Sequence, residues 1–194
     1  DYKTGQITKT LDILPLQTFG DWAWVPGIAW GPDGNVLYAT EHSAPEGSSA
    51  AEASPDFDLS AGKFDSGPFL RLVNQVGMFA YPLASPLQQL GTGELEYQIA
   101  FLQAETPERS ESGLYRIVVM DRDGSNRRTL FPGVENAGLE PQKYWGAWST
   151  APMPDSGHLA LAVIYQGNLW VVDAVNGEAF QVTGDSLTTR VIWR

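Results

Sequence analysis

A hairpin signature that returns along the chain constrains its fold more than any other feature. Asn168–Asp173 reads as a strand, Ala174-Val175-Asn176-Gly177 as a tight turn, and residues 178–183 as the returning strand. Asn-Gly at the centre of such a turn is a strong hairpin signal, because both residues accept positive φ. The same order occurs at residues 114–121, 122–126 and 127–131. Weaker copies run from Asp58-Leu59-Ser60-Ala61-Gly62 into residues 69–73, and from Asp1-Tyr2-Lys3-Thr4-Gly5 into residues 8–13. The turn glycines Gly5, Gly62, Gly124 and Gly177 follow one another, on subtraction, at intervals of 57, 62 and 53 residues. Near-regular spacing stretched by loop insertions marks a repeat architecture.

A second marker keeps step with the first. Ile28-Ala29-Trp30, the turn Gly31-Pro32-Asp33-Gly34 and residues 36–40 have the form of an inner hairpin. Gly146-Ala147-Trp148-Ser149, the turn Pro154-Asp155-Ser156-Gly157 and residues 159–165 repeat it. Trp193 follows Trp148 by 45 residues on subtraction, so residues 190–194 are expected to open a further unit. Helical periodicity is nearly absent, and the 20 Gly and 13 Pro punctuate short β-branched and aromatic runs. The expectation is therefore an all-β fold. With 43% hydrophobic residues and seven Trp, the chain can bury a sizeable core.

Val119-Met120-Asp121, followed by Asp123-Gly124-Ser125-Asn126-Arg127-Arg128, closely resembles the TolB-like propeller repeat, and Trp30 with Pro32-Asp33-Gly34 supplies the other half of that repeat. The resemblance covers residues 20–40 and 114–194, while 41–113 departs from it through insertions. It implies β-propeller blades of four antiparallel strands: an outer half-blade over 1–14, blades over about 19–75, 76–134 and 143–185, and the start of another at 186–194. In the middle blade, residues 78–81 and 96–102 are the expected inner strands, joined by a long connection at 82–95. Since closed propellers typically need four to eight blades, the chain reads as an incomplete propeller fragment whose open blade edges can self-associate. The resemblance also implies a periplasmic or extracellular, non-catalytic module that binds a protein or envelope component through loops. The alternatives are the substrate-filtering propeller of a larger hydrolase or peptidase, and a carbohydrate-binding propeller.

Charge and missing motifs narrow these functions. Asp and Glu outnumber Lys and Arg by 23 to 12, and the net charge of −11 repels a phosphate backbone, so nucleic acid is not an expected partner. No run approaches the ~18 apolar residues of a helical membrane span. There is no Cys, hence no disulfide and no thiolate chemistry. Neither a Gly-x-Ser-x-Gly elbow nor a Gly-rich phosphate loop occurs, and no catalytic residue, metal ligand set or cofactor is read from the sequence. Asp121 to Asn126 has oxygen side chains in alternation, but the EF-hand spacing fails at Gly124 and Pro132, so its carboxylates are expected to bond the local backbone. Of the two histidines, His158 is expected in solvent, whereas Glu41 and His42 end a strand where loops approach a central channel. Trp22, Trp24, Tyr144 and Trp145 are candidates for a stacking platform facing a sugar or a peptide, set against packing between sheets. Asp21, Glu41, Asp56, Asp58 and Glu94 read as solvated loop carboxylates, set against a carboxylate pair for glycosidic hydrolysis. The segment 41–67, poor in apolar anchors, reads as a long mobile insertion and a place to seek binding, with 104–113 a shorter loop of the same kind.

Overall fold

Gln98–Ala104 and Tyr115–Asp121 are almost continuous apolar runs, the pattern expected of strands covered on both faces. In the computed structural model, which describes residues 3–7, 16–42, 56–63, 68–89 and 93–194, they are the two central strands of a four-stranded antiparallel sheet. The described strands are β1 (Leu16–Gln17), β2 (Ala23–Trp24), β3 (Ile28–Trp30), β4 (Val36–His42), β5 (Phe57–Lys63), β6 (Leu70–Val73), β7 (Leu83–Ala84), β8 (Gln88–Gln89), β9 (Leu95–Glu96), β10 (Gln98–Ala104), β11 (Tyr115–Asp121), β12 (Arg128–Phe131), β13 (Gly146–Trp148), β14 (Ala160–Tyr165), β15 (Asn168–Asp173) and β16 (Ala179–Gln181). The fold is all-β. Three four-stranded sheets run in the orders β3-β4-β5-β6, β7-β10-β11-β12 and β13-β14-β15-β16, and β1-β2 and β8-β9 form small ribbons. Every pairing between these strands is antiparallel.

The second sheet lies between the other two, and side-chain alternation divides its residues between them. Ile99, Phe101, Val118 and Met120 join Tyr38, Leu59, Ala61 and Val73 of the first sheet in one buried cluster. Their sequence neighbours Ala100, Leu102, Ile117 and Val119 join Leu161, Val163, Tyr165 and Val172 of the third sheet in another. A one-residue slip in β10 or β11 would exchange the two sets, so packing on both faces fixes the register. The same contact recurs at each junction. A Cβ on Gly124, in the β11–β12 turn, would lie 3.1 Å from Leu72 of β6, and one on Gly177, in the β15–β16 turn, 3.0 Å from the Leu130 carbonyl of β12. Each last hairpin thus presses its glycine on the last strand of the preceding sheet. At the opposite edges, β7 touches both β3 and β13.

Four expected hairpins are present as β3–β4, β11–β12, β13–β14 and β15–β16. Elsewhere the structure corrects the expectation. Asp58-Leu59-Ser60-Ala61-Gly62 is not a turn but most of β5, in which Gly62 allows the Phe69 ring to lie where a Cβ would be. The insertion expected over 41–67 therefore contains the end of β4 and the central strand β5, while residues 43–55 and 64–67 fall outside the described residues. In β5, Phe57, Leu59 and Ala61 alternate with Asp58 and Ser60, a period-two pattern hidden by the polar composition around it. Residues 78–81 form no strand: Gly77 and Tyr81 both have positive φ (89° and 38°), which breaks the extended backbone, and the edge strand is β7 instead. The connection expected at 82–95 carries β7 and β8, and Glu96 belongs to the β8–β9 ribbon. Residues 182–194 carry no strand. Of the N-terminal copy only 3–7 are described, with Gly5 at φ 67°.

Candidate binding site

The candidate residues named from sequence differ sharply in exposure. Trp24 and Trp145 are fully buried, which corrects their reading as parts of an exposed platform. The Trp24 indole N–H donates to the Met78 carbonyl (2.7 Å), and its ring meets Phe57 edge-on at 5.0 Å. The Trp145 N–H donates to the Tyr81 carbonyl (3.0 Å), and that of Trp148 to the Leu83 carbonyl (3.1 Å). These three indoles join sheets through the segment preceding and including β7, combining large apolar area with one directed bond. Trp22 is 40% exposed and stacks on Phe79 at 6.3 Å, and Phe79 stacks on Tyr81 at 5.9 Å. Tyr144 is half exposed and lies beneath the Arg190 guanidinium at 4.8 Å.

Glu41 and His42 end β4, where the register sets Glu41 opposite Asp58 and His42 opposite Phe57. The His42 ring is 4.8 Å from that of Phe57, and burial lowers its pKa against the opposing pull of Asp56 and Asp58. Like charges directly opposite in a ladder are unfavourable. Asp58 is compensated by the Arg71 guanidinium (2.9 Å) and the Gln75 N–H (2.8 Å), so it is a buried structural carboxylate rather than a solvated one. The Asp121–Asn126 turn is held as its composition suggests. Asp123 accepts from the N–H and the hydroxyl of Ser125 (2.9 and 2.6 Å), and those bonds lower its pKa. Asp121 accepts from the Asn126 carboxamide (2.7 Å). His158 is not simply solvated: its Nδ1 lies 3.0 Å from the buried Asp173 carboxylate.

Among the described residues, a concavity of about 840 Å³ forms a groove between the first and second sheets. Val36, Leu70 and Leu72 supply apolar wall, and Lys63, Arg122, Asp33 and Asp123 supply charge of both signs. Also lining it are Tyr38 and Tyr97, whose hydroxyls lie 3.0 Å apart, and the Tyr38 hydroxyl is 2.9 Å from the Arg122 carbonyl. Burial, reinforced by its contact with Tyr97, raises the Tyr38 pKa strongly, and burial raises that of Tyr97, so both phenols are neutral hydrogen-bonding groups. Arg122 is held over the Tyr97 ring at 6.0 Å and pairs with Glu96 at 3.1 Å. This arrangement can bind, through apolar contact and rim charge. Among the described residues that line it, no nucleophile is paired with a base. Sequence reasoning placed Asp33 and Asp123 in turns but missed the groove, because Tyr38 and Tyr97 are 59 residues apart and meet only when the sheets stack. No protein-family model matches the chain, and no curated protein matches it.

Proposed function

We propose that the three four-stranded sheets are consecutive blades of a TolB-like β-propeller, and that the chain is a non-catalytic binding module taking an extended protein segment in the groove between the first two sheets. The observation carrying this reading is the amphipathic groove of about 840 Å³ walled by Leu70 and Leu72 and rimmed by Lys63, Arg122, Asp33 and Asp123. Apolar anchors surrounded by charge are what a short peptide segment needs for both affinity and orientation. Blade identity is supported by the repeated contact of each hairpin glycine with the preceding sheet and by β7 lying against both β3 and β13. The periplasmic or extracellular setting rests on the resemblance of the repeat alone.

Leu70 is 64% exposed, so Leu70→Glu leaves the core intact. Selection of a displayed random-peptide library on the wild-type chain should enrich sequences with an apolar residue flanked by charges. Leu70→Glu and Arg122→Glu should each weaken the selected peptides by about tenfold, equivalent to ~1.4 kcal/mol. Peptides that bind wild type and both variants equally would remove the groove from the function.

A further inference from the structure

We infer that Asn176 is a modification site, at which the folded turn converts its own carboxamide into an isoaspartyl or aspartyl residue through a succinimide. Asn176 is exposed in the β15–β16 turn and is followed by Gly177. The ring closes when the Gly177 backbone nitrogen attacks the Asn176 Cγ, and a residue without a side chain leaves that nitrogen open to the approach. The other asparagines, Asn35, Asn74, Asn126, Asn136 and Asn168, all precede residues that carry a side chain.

Two hydrogen bonds equip the turn for this reaction. The Glu178 N–H donates to the Asn176 Oδ1 (2.9 Å), so it polarises Cγ and already faces the oxygen that becomes the oxyanion of the tetrahedral intermediate. The Asn176 Nδ2 donates to the Glu178 carboxylate (3.2 Å), a contact that strengthens as this nitrogen gains positive charge and leaves. One bond opposes the step: the Gly177 N–H donates to the Asp173 carbonyl (3.0 Å) and must release it before attack. The Gly177 nitrogen then gives its proton to solvent and bonds to Cγ. The Cγ–Nδ2 bond breaks, and Nδ2 takes a proton from solvent and departs as ammonia. Water opens the ring at either carbonyl, giving isoaspartate or aspartate, and no electrons are transferred.

Two other turns repeat the backbone arrangement. The Asn35 N–H donates to Asp33 (3.0 Å) and the Ser125 N–H to Asp123 (2.9 Å), each across a glycine at positive φ (73° and 88°, against 76° at Gly177). Of these three turns, the one at Asn176 carries a carboxamide. Aspartate is ionised near neutral pH, and a carboxylate neither attracts the attacking nitrogen nor releases ammonia. The product has a structural consequence at Asn176. Isoaspartate routes the main chain through Cβ and lengthens the turn by one carbon. A Cβ on Gly177 would already lie 3.0 Å from the Leu130 carbonyl, so the longer turn is displaced from β12 and the third sheet is loosened from the second. This site is independent of the peptide groove, which lies between the first and second sheets.

The test is incubation of the folded chain at mildly alkaline pH, followed by peptide mapping with mass spectrometry and chromatography that resolves isoaspartate. The Asn176 peptide should exchange NH for O before any other asparagine peptide does. Glu178→Gln, which keeps the backbone N–H and shows a dispersed spectrum, should slow that exchange by about fivefold, the difference between a charged and a neutral hydrogen bond. The purified isoaspartyl chain should have a lower urea midpoint than the unmodified chain. Asn176 that stays intact in the folded chain, over the time in which the urea-unfolded chain deamidates there, would overturn the inference. So would exchange no earlier than at Asn35 or Asn126, or an unchanged rate in Glu178→Gln. An isoaspartyl chain as stable as the unmodified one would remove the link to sheet docking.

Discussion

At the scale of single residues, Asp173 shows how one carboxylate organises a turn. Burial works to raise its pKa. The Val175 N–H, the Ser156 hydroxyl, the Asn176 N–H and His158 outweigh that and hold it down to about 2. The folded value lies below the ~3.9 of an unfolded Asp, so its stabilisation is complete above about pH 4 and is lost as pH falls toward 2. We expect Asp173→Asn to cost about 1–2 kcal/mol at neutral pH and to flatten the acid limb of a urea-midpoint profile below pH 4. Profiles that stay parallel down to pH 2 would exclude this role. The indoles provide a second contrast. Trp145→Phe leaves the Tyr81 carbonyl without its donor and should cost about 1–3 kcal/mol, whereas Trp22→Phe, at a half-exposed ring, should change thermal stability little. Equal shifts in melting temperature would contradict the structural role given to Trp145.

At the scale of elements, turn glycines serve two separate needs. Gly34, Gly124 and Gly177 all have positive φ (73°, 88° and 76°), where any Cβ is strained. Around Gly34 there is open space, but Gly124 and Gly177 each touch the preceding sheet. Gly34→Ala should therefore cost about 1 kcal/mol from conformation alone, and Gly177→Ala roughly twice that, because the Leu130 carbonyl at 3.0 Å must also give way. Chemical denaturation of the two variants measures the difference. The hairpins themselves were legible in the sequence, since Pro-Asp-Gly, Asp-Gly and Asn-Gly state their φ requirements locally. Strand β5 was not: its alternation spans seven residues and is flanked by Ser-, Ala- and Pro-rich chain that reads as loop. Nor was β7, whose two residues are a strand only because β10 lies beside them.

At the scale of the whole molecule, the second sheet is the structural centre because both of its faces are covered. Phe101 and Leu102 are adjacent in sequence, fully buried, and belong to different clusters. Phe101→Ala and Leu102→Ala should each cost about 2–5 kcal/mol and shift the same cooperative unfolding transition, since removing either weakens a shared sheet. Two resolved transitions in calorimetry would show that the clusters melt separately. Apolar side chains on the outer two sheets remain exposed: Ile28 at 58% on β3 and Phe180 at 64% on β16. We expect concentration-dependent association in sedimentation, reduced in Ile28→Lys and Phe180→Lys; a wild-type chain that stays monomeric would rule out self-association through these edges. By itself the sequence determined the all-β class and four hairpins with their turns, because each depends on residues a few positions apart. It also holds no Gly-x-Ser-x-Gly elbow and no Gly-rich phosphate loop. Only the tertiary structure decided that Trp24 and Trp145 are buried struts, that Tyr38 meets Tyr97, and that grooves open between successive sheets. Those outcomes depend on which faces of distant strands stack, and side-chain periodicity says only that a face is apolar, not what covers it.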